Sequence, residues 1–177
     1  MDATTRSLQW IESAGGPLVC MEEPLLDRRG GNKSSDYERA CTAAAYLERI
    51  EIGSRYGLVL GDMPLSACIE KDKAGVLCIV RAIFLDCDDD VYTALYGAGS
   101  SEGTQLDDGV PYEIKGGAVY LFDAALTGHD AKTENLQFFL APSRYRVTTH
   151  ALERERVSLV VHKFNCQSDS QFDAENR

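Results

Sequence analysis

The spacing of apolar positions along this chain predicts one helix set among many short strands. Tyr37, Ala40, Cys41, Ala44 and Leu47 recur at helical intervals, and Ser35 followed by Glu38 reads as a capping box, so a helix is predicted from Ser35 to about Glu48. Its small, alanine-rich face suits close packing on a sheet. Elsewhere the pattern is extended. Residues 8 to 20 read as two short strands around Gly15-Gly16-Pro17, where glycine permits positive φ and proline fixes its own. A polar loop fills 24 to 35. Strands follow at 57 to 61, 65 to 71 and 76 to 85, with Asp72-Lys73-Ala74-Gly75 as a hairpin connection. The run Val76-Leu77-Cys78-Ile79-Val80 is apolar on both faces, as a central strand would be.

A second, short helix is predicted from Asp88, as cap, to about Tyr96, with Asp89 and Asp90 at the positive end of its dipole. Residues 97 to 109 lack any apolar period and read as a long exposed loop. The last third is strand after strand: 112 to 115, 118 to 122 across the Gly116-Gly117 turn, 136 to 140, 144 to 152 and 157 to 164, with Glu153-Arg154-Glu155-Arg156 as the final hairpin tip. Tyr145, Val147 and Thr149 alternate with Arg144, Arg146, Thr148 and His150, so one face of that strand is expected to pack and the other to be solvated. The fold class expected is α+β: a mostly antiparallel sheet of seven or more strands, one long helix packed on a face, and a second short acidic helix. Residues 1–164 form a single domain in this reading, and 165–177 a disordered polar tail. No internal repeat is visible.

Composition changes this picture little. An apolar content of 44% over 177 residues suffices for one core, burying roughly 70% of the unfolded surface. No apolar stretch is long enough to cross a membrane as a helix. The amino terminus, with Asp2, Arg6 and Glu12 and no apolar core segment, predicts a protein that stays in the cytoplasm. The six cysteines, Cys20, Cys41, Cys68, Cys78, Cys87 and Cys166, are scattered without a C-x-x-C pair and read as reduced thiols. Asn32-Lys33-Ser34 matches a glycosylation acceptor that a cytoplasmic chain would leave unused.

Charge changes it more. The net charge is −10, and between Asp86 and Gly109 stand seven carboxylates (Asp86, Asp88, Asp89, Asp90, Glu102, Asp107, Asp108) with no Lys or Arg. A nucleic acid would have to bind against that field, so neither nucleic acid nor membrane is an expected partner. A basic protein surface is the better match. An acidic patch that imitates the charge of phosphate could steer association with a nuclease and occlude its active site.

Five segments in one order carry a family resemblance: Trp10-Ile11-Glu12-Ser13-Ala14-Gly15-Gly16-Pro17-Leu18-Val19 with Glu22-Glu23-Pro24-Leu25-Leu26; Asp36-Tyr37-Glu38-Arg39-Ala40-Cys41; Val59-Leu60-Gly61-Asp62-Met63-Pro64-Leu65; Leu121-Phe122-Asp123-Ala124-Ala125; and Leu140-Ala141-Pro142-Ser143-Arg144-Tyr145-Arg146-Val147. Together they resemble the immunity protein 21 family over roughly residues 8 to 164. The resemblance implies a bacterial protein that binds and neutralises one toxin, encoded by an adjacent gene, with no cofactor and no turnover. Trp10, Gly15, Gly16, Pro17, Gly61, Asp62 and Tyr145 are then structural signature residues, with Trp10 a large core anchor. The seven carboxylates, expected on the surface, are the first candidates for toxin contact. Arg28, Arg29, Arg144 and Arg146, also expected to be exposed, are the second.

Several motifs do not find the context their chemistry needs. Gly99-Ser100-Ser101-Glu102-Gly103 matches G-x-S-x-G, but a nucleophile elbow requires a strand before it and a helix after it, and neither is predicted. Gly97-Ala98-Gly99 begins a dinucleotide-like pattern whose third glycine comes one residue late, outside any βαβ unit. His129, His150 and His162 would have to converge to hold a metal, and a simple hairpin register around 153 to 156 sets Val147, not His150, near His162. Asp86-Cys87-Asp88-Asp89-Asp90 lacks the alternating ligands and turn glycine of a calcium loop. No metal and no catalytic residue is therefore expected. The alternative is a small-ligand-binding or enzymatic domain that uses a pocket between helix and sheet, which converging polar side chains in that pocket would favour.

Overall fold

The computed structural model describes residues 7–61, 63, 65–97 and 103–167. It contains β1 (Trp10–Ile11), β2 (Leu18–Glu22), α1 (Glu23–Leu26), a 3-10 turn at Gly31–Lys33, α2 (Ser35–Cys41), β3 (Glu48–Ile52), β4 (Arg55–Leu60), β5 (Ala67–Lys71), β6 (Leu77–Leu85) and α3 (Asp88–Tyr96). β7 (Thr104–Gln105), β8 (Val110–Ile114), β9 (Ala118–Asp123), α4 (Gly128–Ala131), β10 (Leu136–Phe139), β11 (Ser143–Arg154) and β12 (Val157–Cys166) follow. The strands form two antiparallel sheets. The larger runs β1-β5-β6-β12-β11-β7, with β8 also on β11, and the smaller runs β10-β9-β2-β4-β3.

The expected single sheet with one long helix is thus corrected to a two-sheet sandwich with short helices. Strand accounts for 47% of the structure and helix for 18%. The predicted long helix stops at Cys41, with Thr42 as its C-cap. Two features end it. The Glu48 carboxylate accepts from Ala44 N at 2.7 Å and Ala45 N at 2.8 Å, which holds Ala44 and Ala45 in a turn. Beyond it Ile50 and Ile52 point to one face at strand period, and β3 pairs with β4. The N-cap is Ser34, whose side chain accepts from Tyr37 N, rather than Ser35. Likewise Cys87, not Asp88, caps α3.

Parity along the strands explains why so many are buried on both sides. In β2, Leu18 and Cys20 face the larger sheet, joining Leu58, Leu60, Ile79, Tyr145, Val147 and Phe164 in the core between the sheets. Val19 and Met21 face outward, under Leu25 and Leu26 of α1, Ala40 of α2 and Ala131 of α4. On the far side of the larger sheet, Val91, Ala94 and Leu95 of α3 cover Cys78, Val80, Leu159 and Val161. The sandwich therefore has three apolar layers. Even the short helices are held by burial, since isolated helices of this length are marginal in water.

Two predicted hairpins become sheet-to-sheet crossings. β1 pairs with β5 and β2 with β4 and β9, so Gly15-Gly16-Pro17 carries the chain from one sheet to the other, with Gly15 at φ 113°. β8 and β9 also lie in different sheets, joined through Gly116-Gly117. There the buried Glu22 carboxylate accepts from Lys115 N at 3.0 Å and Gly116 N at 3.2 Å, satisfying backbone donors that the crossing removes from any ladder. The segment at 97 to 109, expected as loop, contributes β7 to the edge of the larger sheet through His150↔Gln105 and Ala151↔Thr104. β12 extends to Cys166, two residues into the expected tail; residues 168 to 177 lie outside the described residues.

Candidate functional site

The acidic stretch separates into carboxylates that hold the fold and carboxylates that face solvent. Asp88 accepts from Leu8 N at 2.8 Å and from Trp10 Nε1 at 2.9 Å, pinning the first strand to the start of α3. Trp10 is therefore half-buried and hydrogen-bonded at its polar edge, packing beside the cluster under α3 rather than in the central core. Asp107 accepts from Thr149 N and Gly109 N, each at 3.0 Å. Asp90 accepts from Cys87 N at 3.3 Å in the capping box of α3. Asp88 and Asp107, expected as free surface charges, are thus structural. Asp86, Asp89 and Asp108 are exposed, and Asp86 pairs with Arg156 at 2.8 Å. Glu102 lies outside the described residues, as do Asp62 and most of the G-x-S-x-G motif.

Just before Asp86 the sequence reading missed an apolar pair. β6 and β12 slip register between Ala82↔Leu159 and Phe84↔Ser158, which makes Ile83 an unpaired bulge residue. Ile83 is 50% exposed and its neighbour Phe84 54%. A regular strand would turn one of two consecutive residues inward. The signal was present as four successive apolar residues, Ala82-Ile83-Phe84-Leu85, directly before the acids. The result is an exposed apolar pair next to the Asp86–Arg156 ion pair, the composition of a protein contact rather than of a solvated strand end.

The four arginines part company. Arg29, expected to be exposed, is 5% exposed; its guanidinium donates to Ala124 O and lies 3.9 Å from Asp36. Burial lowers its pKa, and Asp36 opposes that shift. Arg28 is exposed and crosses the Gly53 turn, where a side chain on that glycine would collide with its guanidinium. Arg146 is half-buried and donates to Asp108 O at 3.3 Å. Arg144 is exposed and opens onto a cleft of about 570 Å³ between the sheets, lined also by Arg49, Arg55, Lys115, Tyr56 and Tyr112. That cleft lies between two sheet edges, not between helix and sheet.

Four of the signature residues, Gly15, Gly16, Pro17 and Gly61, meet in one place. Ala14 N donates to Asp123 at 2.6 Å and Ala125 N donates to the same carboxylate at 2.7 Å, tying the Gly15-Gly16-Pro17 loop to the end of β9. A Cβ on Gly16 would sit 3.4 Å from the Tyr37 ring. At Gly61 it would stand 2.3 Å from Ala45 O, so only glycine lets the turn after α2 cross β4. These glycines, with Pro17, Cys41 and Met63, surround a shallow hollow of about 180 Å³. Tyr145, in the last segment, is buried instead beside the cleft, donating to Ala141 O at 2.9 Å with its ring edge-on to Phe164. Their grouping is accounted for by folding.

The histidines do not assemble a site. The β11-β12 hairpin turns on two residues, Glu155 and Arg156, so His162 faces Thr149 rather than Val147, and His150 faces Val161. His162 Nδ1 lies 3.1 Å from Thr149 Oγ1, and burial pushes its pKa down to about 3, helped by the charge of Arg81. His150 Nε2 lies 2.9 Å from Thr148 Oγ1. His129 is exposed on α4. No group of three or more potential metal ligands occurs among the described residues. All six thiols are unpaired, and burial pushes those of Cys68 and Cys78 up to about 12, which keeps them protonated and inert. Among the described residues no helix is long and apolar enough to cross a membrane.

Comparison with known families adds one match. The family model described as immunity protein 21 covers residues 9–157, from the first strand to the start of the last and so most of both sheets. No curated protein and no solved structure matches the chain.

Proposed function

We propose that this chain, which belongs to the immunity protein 21 family, binds and neutralises one cognate bacterial toxin by a stoichiometric protein contact in the cytoplasm of the producing cell. The family match carries the reading; a toxin partner is what membership of an immunity protein family implies. The finer parts are ours: the toxin is encoded by an adjacent gene, it presents a basic surface, as a nuclease does where it grips phosphate, and the immunity protein uses no cofactor.

The contact we favour centres on Ile83 and Phe84 with the neighbouring Asp86, and takes Asp89 and Asp108 as further exposed carboxylates that add to the charge. Ile83 and Phe84 would supply the desolvated centre, and aromatic anchors at the centre of an interface carry much of its energy. The acids would supply steering, since complementary charge raises the association rate more than it deepens affinity. The two parts separate kinetically. Changing Asp86, Asp89 and Asp108 together to Asn should slow association with the adjacent gene's toxin about tenfold at low salt and flatten its salt dependence. Changing Phe84 to Ala should leave association unaltered and raise the dissociation rate, at a cost of about 2 kcal/mol or more. Surface plasmon resonance reads both. Unchanged rate constants in both variants would contradict this placement and move the contact to Arg28, Arg144 and Arg146.

A further inference from the structure

The cleft between the sheets lies beside β3, the edge strand of the smaller sheet, and β8, which flanks β11 of the larger. Arg49, Arg55, Lys115 and Arg144 line it. Three of them are engaged within the fold: Arg55 pairs with the buried Glu22, Lys115 pairs with Glu113, and Arg144 acts on that same Glu113. Arg49 forms no ion pair among the described residues; its guanidinium lies over the Tyr56 ring at 4.7 Å, and Tyr56 is 42% exposed. Four cations thus stand against two carboxylates, a positive excess in a chain whose net charge is −10, with an exposed aromatic side chain on the wall.

The described chain also stops at this cleft. β12 closes at Cys166, and the next residue, Gln167, lines the cleft while its N–H donates to Arg144 O at 2.9 Å. The side-chain amide oxygen of Gln167 is buried and has no hydrogen-bond partner, an acceptor of a kind that folded proteins rarely leave unanswered. Ser168-Asp169-Ser170-Gln171-Phe172-Asp173-Ala174-Glu175-Asn176-Arg177 follows, with three carboxylates against one arginine and Phe172 as its one large apolar side chain. The charge of that segment is opposite to the excess in the cleft, and its aromatic ring is of the type that packs on Tyr56. Phe172 stands five residues beyond Gln167, at most about 18 Å of extended chain, so its ring can reach the wall. The volume, about 570 Å³, falls in the ordinary range for clefts that hold a ligand.

We propose that the segment from Ser168 to Glu175 docks in this cleft, with Phe172 against the Tyr56 ring, Asp173 paired with Arg49, and a backbone N–H of the segment donating to the Gln167 amide oxygen. The docked segment straps β3 to β8 from outside. It shares no residue with the toxin contact on β6 and does not depend on that reading. Nitrogen-15 relaxation and nuclear Overhauser contacts in the full chain test it. Order parameters of the Phe172 and Asp173 amides should be about 0.8 or higher, against less than about 0.6 for a free tail, and the Phe172 ring should show contacts to Tyr56. Phe172→Ser should bring those order parameters below about 0.6 and shift amides at 54 to 56 and 112 to 113, with the rest of the spectrum unchanged. Arg49→Gln, a change on an exposed side chain of β3, should lower the same order parameters at low salt, where an exposed ion pair is least screened. The proposal is overturned by order parameters below about 0.6 at Phe172 and Asp173 in the unaltered chain, by Phe172 contacts to another surface, by a Phe172→Ser spectrum unchanged around the cleft, or by a tail as ordered in Arg49→Gln as in the unaltered chain.

Discussion

A histidine buried without its proton makes stability depend on pH in a definite direction. His162 titrates at about 3 in the folded protein against an ordinary 6.5. Below pH 6.5 the unfolded chain gains a proton there that the folded chain refuses, so the stabilisation is complete above that pH and falls away as pH drops towards 3. Between pH 7.5 and 5 this one group should remove about 2 kcal/mol, and His162→Gln should lose that part of the pH dependence in urea unfolding. Equal pH slopes in the two proteins would show that His162 is not buried as described. The carboxylates offer a sharper contrast. Asp88→Ala strips two partners, Leu8 N and Trp10 Nε1, and should cost about 1–3 kcal/mol, whereas Asp89→Ala one residue on should cost less than about 0.5. The sequence could not separate them. Aspartates in a run look alike until the partner donors, here nearly eighty residues away along the chain, are brought to one of them. Nor could it register His162 correctly, because shortening the hairpin tip from four residues to the two of Glu155 and Arg156 moves every cross-strand partner by two positions.

Elements with strong local signals were legible and their assembly was not. β5, β6, β8 to β12 and α3 fall within a few residues of their predicted bounds, since alternation, turn glycines and an acidic helix start are local properties. The long helix failed because Ala44 and Leu47 fit a helical stripe equally well when they belong to a turn and a strand entry, and the deciding interaction, Glu48 on two backbone amides, is invisible to periodicity. The second sheet was missed for a related reason. Gly15-Gly16-Pro17 and Gly116-Gly117 announce a change of direction without saying whether the next strand pairs with the last or leaves for another sheet. Gly61 marks where this assembly is tightest. Gly61→Ala would force its Cβ against the Ala45 and Ala43 carbonyls and should destabilise by about 1–3 kcal/mol, read as a lower urea midpoint at unchanged slope. A neutral substitution there would mean that the 43 to 45 backbone does not cross β4 so closely.

At the scale of the whole molecule, charge and apolar surface are divided between places. The net charge of −10 had suggested one acidic face. The structure instead withdraws Asp88 and Asp107 into hydrogen bonds, leaves Asp86, Asp89 and Asp108 exposed, and adds Ile83 and Phe84, while the cations gather at the cleft between the sheets. The family was legible from five short segments because four of them build one junction, around the Gly15-Gly16-Pro17 loop, and so are tied together by packing. What those segments do not include is the surface proposed here for the partner, on β6 and at the start of α3. The central claim, that this protein silences a toxin by occupying it and not by acting on it, is tested most directly by titrating the adjacent gene's toxin with increasing amounts of the purified protein and following residual toxin activity. The account predicts a linear fall to zero with its break at one equivalent, and full recovery of toxin activity when the complex is separated under denaturing conditions and the toxin refolded. A toxin left fully active at excess protein, or one abolished irreversibly by a small fraction of an equivalent, would contradict it.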